Sequence, residues 1–275
     1  MTEFSTKFDS LVQRMMLHGE EVEVGQWQSQ DVSDKPHMIS RELRHETFKL
    51  NIGQSTRGLQ HEVNPNLPWA EDHFQERVSG EPMNPPPSEA WWPFRVNENA
   101  DHKDQGAFSH SYPERMWPRF ANVGNQTAEG RQVFVPHMGI RYGYGDLGHV
   151  IEQLTRNPQT RQAFLPIWFP EDTGAVWNQR VPCTLGYHFL IRNGRADIVY
   201  YIRSCDLLRH FTDDVYMAGR LLQWVVGMLQ GNGISVKASQ LIMHISSLHV
   251  FRGDYPRLEM MISRMGDEDQ YGAGI

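Results

Sequence analysis

Phe8, Leu11, Val12 and Met15 recur at the three- and four-residue spacing of a helix with one buried face, so the chain is predicted to open on an amphipathic helix. Over 39–52 the alternation of apolar and polar positions is weaker and comes in pieces, which predicts interrupted strand segments. From 64 to 117 the chain is dense in Pro, Trp and Asn. Asn84-Pro-Pro-Pro87 and Trp91-Trp-Pro93 forbid a long regular helix or a central strand there. Disordered segments are poor in aromatic residues, so 64–130, ending in the polar turn Gly124 to Gly130, is predicted to be an ordered but irregular region. Leu147, Val150, Ile151 and Leu154 then share one helical face before Asn157-Pro158 stops the helix, and a strand is predicted over 163–169. Segments 181–192 and 195–202 flank Asn193-Gly194, a pair that supplies the positive φ angles of a type I′ turn, and are predicted to form a hairpin. An apolar helix over 215–229 and a final buried strand over 241–251 complete the pattern. The class is α+β, a mixed or mostly antiparallel sheet with flanking helices, in a single domain over 1–275.

Composition narrows the functions open to such a chain. With 275 residues one continuous core is feasible, and 8 Trp, 13 Phe and 9 Tyr provide large apolar side chains to fill it. The balance of 26 Lys+Arg against 33 Asp+Glu, a net −7, argues against a protein that coats nucleic acid, since phosphate neutralisation needs a basic face. A few local arginines holding a small anion remain compatible. The longest apolar runs, such as 221–229, fall far short of the ~20 residues that span a bilayer. The opening MTEFSTKFDSLVQRMM lacks the pattern of a secretory signal, so a cytoplasmic protein with free thiols and no membrane partner is expected.

Several residues are candidates for chemistry. Cys183, in Arg180-Val-Pro-Cys-Thr184, precedes a strand where arginines could lower its pKa; a lone cysteine in such a place is more often a small core residue, and Cys205 keeps that reading. Arg203-Ser-Cys-Asp206 places a guanidinium, a hydroxyl and a carboxylate at one strand end, suited to an anion or to a surface ion pair. Arg161 lies between a helix and a strand. Asp213-Asp214 precedes the apolar helix, where the default role is an N-cap. The 13 histidines include no HExxH and no Cys-x-x-Cys pair, so no metal site is expected. The glycines from Gly139 to Gly148 match no phosphate-binding loop and read as a turn.

The order Arg161, Val-Pro-Cys183, Tyr201-Ile-Arg-Ser-Cys-Asp206, Asp214 eight residues on, and Ser247-Leu-His-Val-Phe251 resembles the thymidylate synthase family, well over 140–260 and more loosely before it. The resemblance implies a homodimer with shared sites in which Cys183 is the nucleophile. Arg161, reaching across the dimer, would hold the nucleotide phosphate with Arg203 and Ser204, and Asp206 would lie near 5,10-methylenetetrahydrofolate. His249 matches the histidine that contacts the sugar hydroxyl, although Phe251 stands where a tyrosine is usual, Gln162 replaces a second arginine and Ile202 a glutamine. Glu71, with Glu76 as rival, corresponds to the active-site glutamate, and Tyr112 to a tyrosine near the nucleophile. At Asp214 thymidylate synthases carry an asparagine. A carboxylate there can accept from the cytosine amino group and from a protonated N3, and the deoxycytidylate hydroxymethylases of bacteriophages, which the chain most resembles, have this aspartate. The expected reaction is one-carbon transfer to C5 of dCMP, with water giving 5-hydroxymethyl-dCMP, in the cytoplasm, which is the host's if the chain is phage-encoded. A dCMP methyltransferase, a CMP or dUMP hydroxymethylase and a silent nucleotide-binding relative are the alternatives.

Overall fold

The computed structural model describes residues 1–27, 30–94, 103–104, 106–118, 145–170, 172–173 and 180–272. Helix α1 (Glu3–His18) starts at Thr2, whose hydroxyl accepts from the Ser5 amide at 3.0 Å, and it buries Phe4, Leu11, Val12 and Met15. Short strand β1 (Glu20–Val22) and a two-residue ribbon, β2 (Gln26–Trp27) with β3 (Gln30–Asp31), lead to β4 (Ser40–Asn51). Helices α2 (Thr56–Val63) and α3 (Trp69–Val78), a ribbon of β5 (Lys103–Asp104) and β6 (Ala107–Phe108), α4 (Tyr112–Met116) and α5 (Leu147–Arg156) follow. Then come β7 (Phe164–Pro166), β8 (Thr184–Arg192), β9 (Arg195–Asp206), α6 (Phe211–Gly231), β10 (Lys237–Phe251) and α7 (Tyr255–Gly272).

Among the described residues, six strands form one mixed sheet in the order β1-β4-β10-β9-β8-β7. All neighbours are antiparallel except β10 and β9, and α6 makes the connection that a parallel pair requires. The expected hairpin is present, with Asn193 at φ 52 and Gly194 at φ 69. One face of the sheet is buried under helices: Phe48, Tyr187, Phe189, Tyr200, Ile202, Met243 and Ile245 pack towards α1 and α6, where Phe4, Phe8, Phe48 and Phe211 cluster with ring centroids 5.0–6.2 Å apart. The other face carries the half-exposed Phe164, Tyr201 and His244, with the last two rings stacked at 5.5 Å.

The expectation of broken strand pieces over 39–52 is corrected: β4 is continuous for 12 residues. Its inward positions run Leu50, Phe48, Glu46 and then step by three to Leu43, at His45, which has φ 58. Neighbouring strands step at the same level, from Ile245 to Leu248 on β10 and from Ile202 to Cys205 on β9. The pleat thus changes phase along one line across three strands, which a two-residue periodicity misses. That line brings Cys205 inward and leaves Arg203 and Ser204 half-buried.

Three other expectations change. The region from 64 to 117 contains the ten-residue α3 between its prolines, because Pro68 sits at the cap position, where a missing amide costs nothing. The strand expected over 163–169 is only three residues long, and the Ile167 and Trp168 amides both turn to the Leu185 carbonyl. Helix α7 follows what was expected to be the last element. The polar turn at 124–130 and the glycine-bearing stretch 139–144 lie outside the described residues.

Candidate active site

Cys183 sits half-buried one residue before β8. Its carbonyl accepts from the Arg203 amide at 2.9 Å, and the Arg203 guanidinium donates to the Pro182 and Val181 carbonyls at 3.0 and 3.2 Å. Arg203 therefore clamps the Val-Pro-Cys turn and sets a positive charge beside the thiol. The expected lowering of the thiol pKa is outweighed. Burial pushes it up, Arg203 and Arg180 pull it down, Asp214 adds an upward push, and the net direction is upward.

Asp214 is the second member. Its amide bonds to the His210 carbonyl at 2.8 Å within the first turn of α6, where His210 occupies the cap position without a side-chain bond. The N-cap reading of Asp213-Asp214 is thereby corrected: Asp213 binds the Asn66 backbone and side-chain amides at 2.9 and 2.8 Å, and Asp214 faces the sheet. Asp214 accepts from the Cys205 thiol at 3.6 Å. Burial drives its carboxyl up to about 7 against the downward pull of Arg77, with Asp213 adding to the rise.

Tyr112 closes the group. Thr184 Oγ1 donates to the Tyr112 hydroxyl at 3.1 Å and lies 2.9 Å from the Tyr200 hydroxyl, and burial together with the Cys183 charge raises the Tyr112 pKa. Arg77 was not singled out in the sequence. It is 4% exposed and lies 4.1 Å from the Tyr112 ring centroid, and only its late place in an unexpected helix brings it here.

Ser204 pairs with Ser247, and Asp206 with His249, across β9 and β10. Burial pushes His249 down to about 4, so its ring is neutral at pH 7 and able to hydrogen-bond a hydroxyl; Phe251 packs edge-on to it at 5.1 Å. Asp206 is buried and accepts from the Leu208 and Arg209 amides at 3.0 Å each. The neighbouring His210 ring stacks on Trp92 at 5.4 Å, and Trp92 lies 6.4 Å from Trp69, whose buried indole N–H has no partner among the described residues.

Other predicted residues lie apart. The Glu71 carboxylate accepts from Arg220 at 2.9 and 3.0 Å, from Tyr216 at 2.5 Å and from Gln75 at 2.7 Å; burial works to raise its pKa, but these bonds bring it below the ordinary carboxylate value. Glu76 binds Ser88 and His73. Among the described residues neither glutamate hydrogen-bonds to Cys183, Tyr112 or Asp214. Arg161 is exposed just before β7, with its carbonyl accepting from His188 at 3.0 Å. Among the described residues no three His, Cys, Asp or Glu side chains could hold a metal ion, and no helix is long and apolar enough to cross a membrane.

The architecture is a thymidylate synthase fold: the thermostable thymidylate synthase A from Bacillus subtilis superposes with a TM-score of 0.62 at 14% identity, covering 94% of this chain and 84% of that one. The family model described as thymidylate synthase matches residues 100–270, more than half of the sequence, and the chain belongs to that family. Its curated relatives include proteins named "Putative thymidylate synthase" from Methanosarcina barkeri (26% identical over 116 residues), Methanosarcina acetivorans (27% over 114) and Methanococcoides burtonii (28% over 144). These alignments take in 42%, 42% and 50% of this chain and 50%, 49% and 62% of the relatives, so the chain spans about half the length of the curated relatives it matches.

Proposed function

We propose that the protein transfers a one-carbon unit from 5,10-methylenetetrahydrofolate to C5 of dCMP and that water completes the reaction, giving 5-hydroxymethyl-dCMP. The observation that carries this reading is the half-buried Asp214 carboxyl, 3.6 Å from the Cys205 thiol and near enough to Cys183 to act on its thiol, at the place where the family has an amide. The Cys183 sulfur adds to C6 of the pyrimidine, and the electron pair of the C5–C6 double bond becomes available at C5. Asp214 accepts from the exocyclic amino group and holds or releases a proton at N3, work suited to a group that titrates near the operating pH. Arg203 and Ser204 bind the phosphate, and neutral His249 meets the sugar. With Glu71 engaged by Arg220 and Tyr216, we assign the proton transfers at the base edge to Asp214.

When bound, methylenetetrahydrofolate supplies the one-carbon unit. The residues fit such a group: Trp92 stacks on His210 and can offer a flat ring face, the neighbouring Trp69 carries a buried N–H with no partner among the described residues, and Asp206 stands beside His210. The deciding measurement is the mass of the nucleotide after incubation with dCMP and methylenetetrahydrofolate. A gain of CH2O is expected. A gain of CH2 would make the protein a dCMP methyltransferase, turnover only of CMP or dUMP would move the substrate, and no change with retained binding would make it a silent relative.

We further propose a homodimer, supported by the uncovered sheet face of Phe164, Tyr201 and His244 and by the exposed Arg161 next to it. An arginine supplied to the neighbouring site makes complementation possible. Mixing inactive Cys183→Ala and Arg161→Ala chains is expected to restore activity, because one site of each mixed dimer then carries neither lesion. Absence of recovery in verified mixed dimers would show that Arg161 does not act across the interface.

A further inference from the structure

Cys183 stands in a turn whose backbone carbonyls are held one after another. The Arg180 carbonyl accepts from Ser109 Oγ at 2.9 Å and from His110 Nδ1 at 3.2 Å, those of Val181 and Pro182 accept from the Arg203 guanidinium, and that of Cys183 accepts from the Arg203 amide. Two residues beyond His110, the Tyr112 hydroxyl accepts from Thr184 Oγ1 at 3.1 Å. The segment 109–112 therefore meets the chain on both sides of the nucleophile, at Arg180 before it and at Thr184 after it. We propose that Ser109 and His110 are positioning residues for Cys183, pinning the turn 180–183 so that the sulfur is already placed for attack on C6 when the pyrimidine binds. The inference rests on the reading of Cys183 as nucleophile given above.

A clamp works only if its own base is fixed, and this one is anchored through α4. Ser111 caps that helix by accepting from the Glu114 amide at 3.2 Å, and its hydroxyl donates to the Met83 carbonyl at 2.6 Å. Arg115 forms a buried two-pronged ion pair with Asp172 at 2.6 and 2.9 Å. Arg180 adds a side-chain contact, its guanidinium lying 5.7 Å from the Phe108 ring centroid. A carbonyl needs an N–H from the imidazole, so the contact places the His110 proton on Nδ1; burial, with Arg115, Arg180 and Arg203 nearby, keeps the ring neutral at pH 7. Ser109 is exposed, so water could satisfy its hydroxyl, yet it is directed at a carbonyl 71 residues further along the chain. Such ordering matters because reacting atoms must meet at about 3–3.5 Å, and a displacement of about 1 Å costs on the order of 10^2-fold in rate. The charged and titratable groups that act on the thiol are Arg180 in its own turn, Arg203 and Cys205 on β9, Asp214 on α6 and Tyr112 on α4. Of these, Arg180 is the one that Ser109 and His110 hold, so losing both contacts raises the pH at which the thiol ionises.

The test compares the wild type with Ser109→Ala, His110→Leu, the double variant and His110→Asn, whose side-chain N–H replaces that of Nδ1. Three quantities are read: kcat with dCMP and methylenetetrahydrofolate, Kd for dCMP, and the pH midpoint of Cys183 alkylation by iodoacetamide without nucleotide, located by peptide mass. The double variant is expected to lose about 10^2-fold in kcat with Kd held within about threefold, and its alkylation midpoint to rise by at least about half a pH unit. Ser109→Ala alone is expected to lose about three- to tenfold in kcat, and His110→Leu at least about thirtyfold, of which His110→Asn restores all but about fivefold. A double variant with wild-type kcat and midpoint overturns the proposal. So does a fall in kcat matched by an equal loss of dCMP affinity, or a His110→Asn variant that falls as far as His110→Leu. If the leucine variants do not fold, unchanged kcat and midpoint in Ser109→Ala overturn it equally. The alkylation arm needs no substrate: a raised midpoint in variants of a protein that leaves dCMP untouched fails the dCMP reading and keeps the clamp, whereas dCMP turnover with kcat and midpoint unmoved fails the clamp alone.

Discussion

Cys183→Ala is expected to lower kcat by at least about 10^4-fold while the Kd for dCMP changes by less than about tenfold, because the proposed mechanism gives the bond to C6 to the thiol and the phosphate to Arg203 and Ser204. The Arg203 contacts that shape the Val-Pro-Cys turn go to the backbone carbonyls of Val181, Pro182 and Cys183 and survive the substitution. Single-turnover product mass and equilibrium binding of dCMP check the two halves. Near-normal turnover of the alanine variant would remove covalent catalysis from the reaction. Cys205, buried and bonded to Asp214, is expected to cost less than about tenfold when changed to alanine, and alkylation that tracks loss of activity should map to Cys183.

The second large effect is expected from Asp214→Asn. A site built to meet a polar edge rejects an analogue that leaves its buried groups unmatched, often by several powers of ten. The dCMP/dUMP ratio of kcat/KM should therefore swing by about 10^2-fold or more towards dUMP, as the amide supplies the donor that O4 lacks. An unchanged ratio would end the cytosine-recognition role. Because His210, not Asp214, occupies the cap of α6, the swing is not confounded by loss of a helix cap.

The same substitution has a stability signature with a definite sign. The folded carboxyl, pushed up to about 7 from 3.8, keeps its proton in a pH range where the unfolded chain releases it. Stability therefore falls as pH rises through that window, and the penalty is complete above 7. At about 1.4 kcal/mol per tenfold the upper bound is on the order of 4 kcal/mol. Asp214→Asn should raise Tm by several degrees at pH 8 and leave it nearly unchanged at pH 4. Equal shifts at both values would show that the gain does not come from the charge.

Local periodicity by itself determined much of the scaffold. The opening helix, the Asn193-Gly194 hairpin, α5, α6 and β10 are legible because each depends on side-chain spacing or on a turn residue that tolerates positive φ. The ordered series from Arg161 to Phe251 likewise carried the family and therefore the fold. Tertiary structure alone decided the rest. The phase step shared by His45, Ser246 and Arg203 exists only once three strands lie side by side, so one strand read alone looks broken. Glu71 could be chosen by position in the chain, but its engagement by Arg220, 149 residues away, follows from how α3 packs on α6. Arg77 had no signal at all, since nothing in its neighbours along the chain tells that α3 will bury it over Tyr112. Spacing specifies which face of an element is apolar, whereas the charge state of Asp214 and the environment of Cys183 depend on burial and on distances between elements, and these arise only when the elements dock.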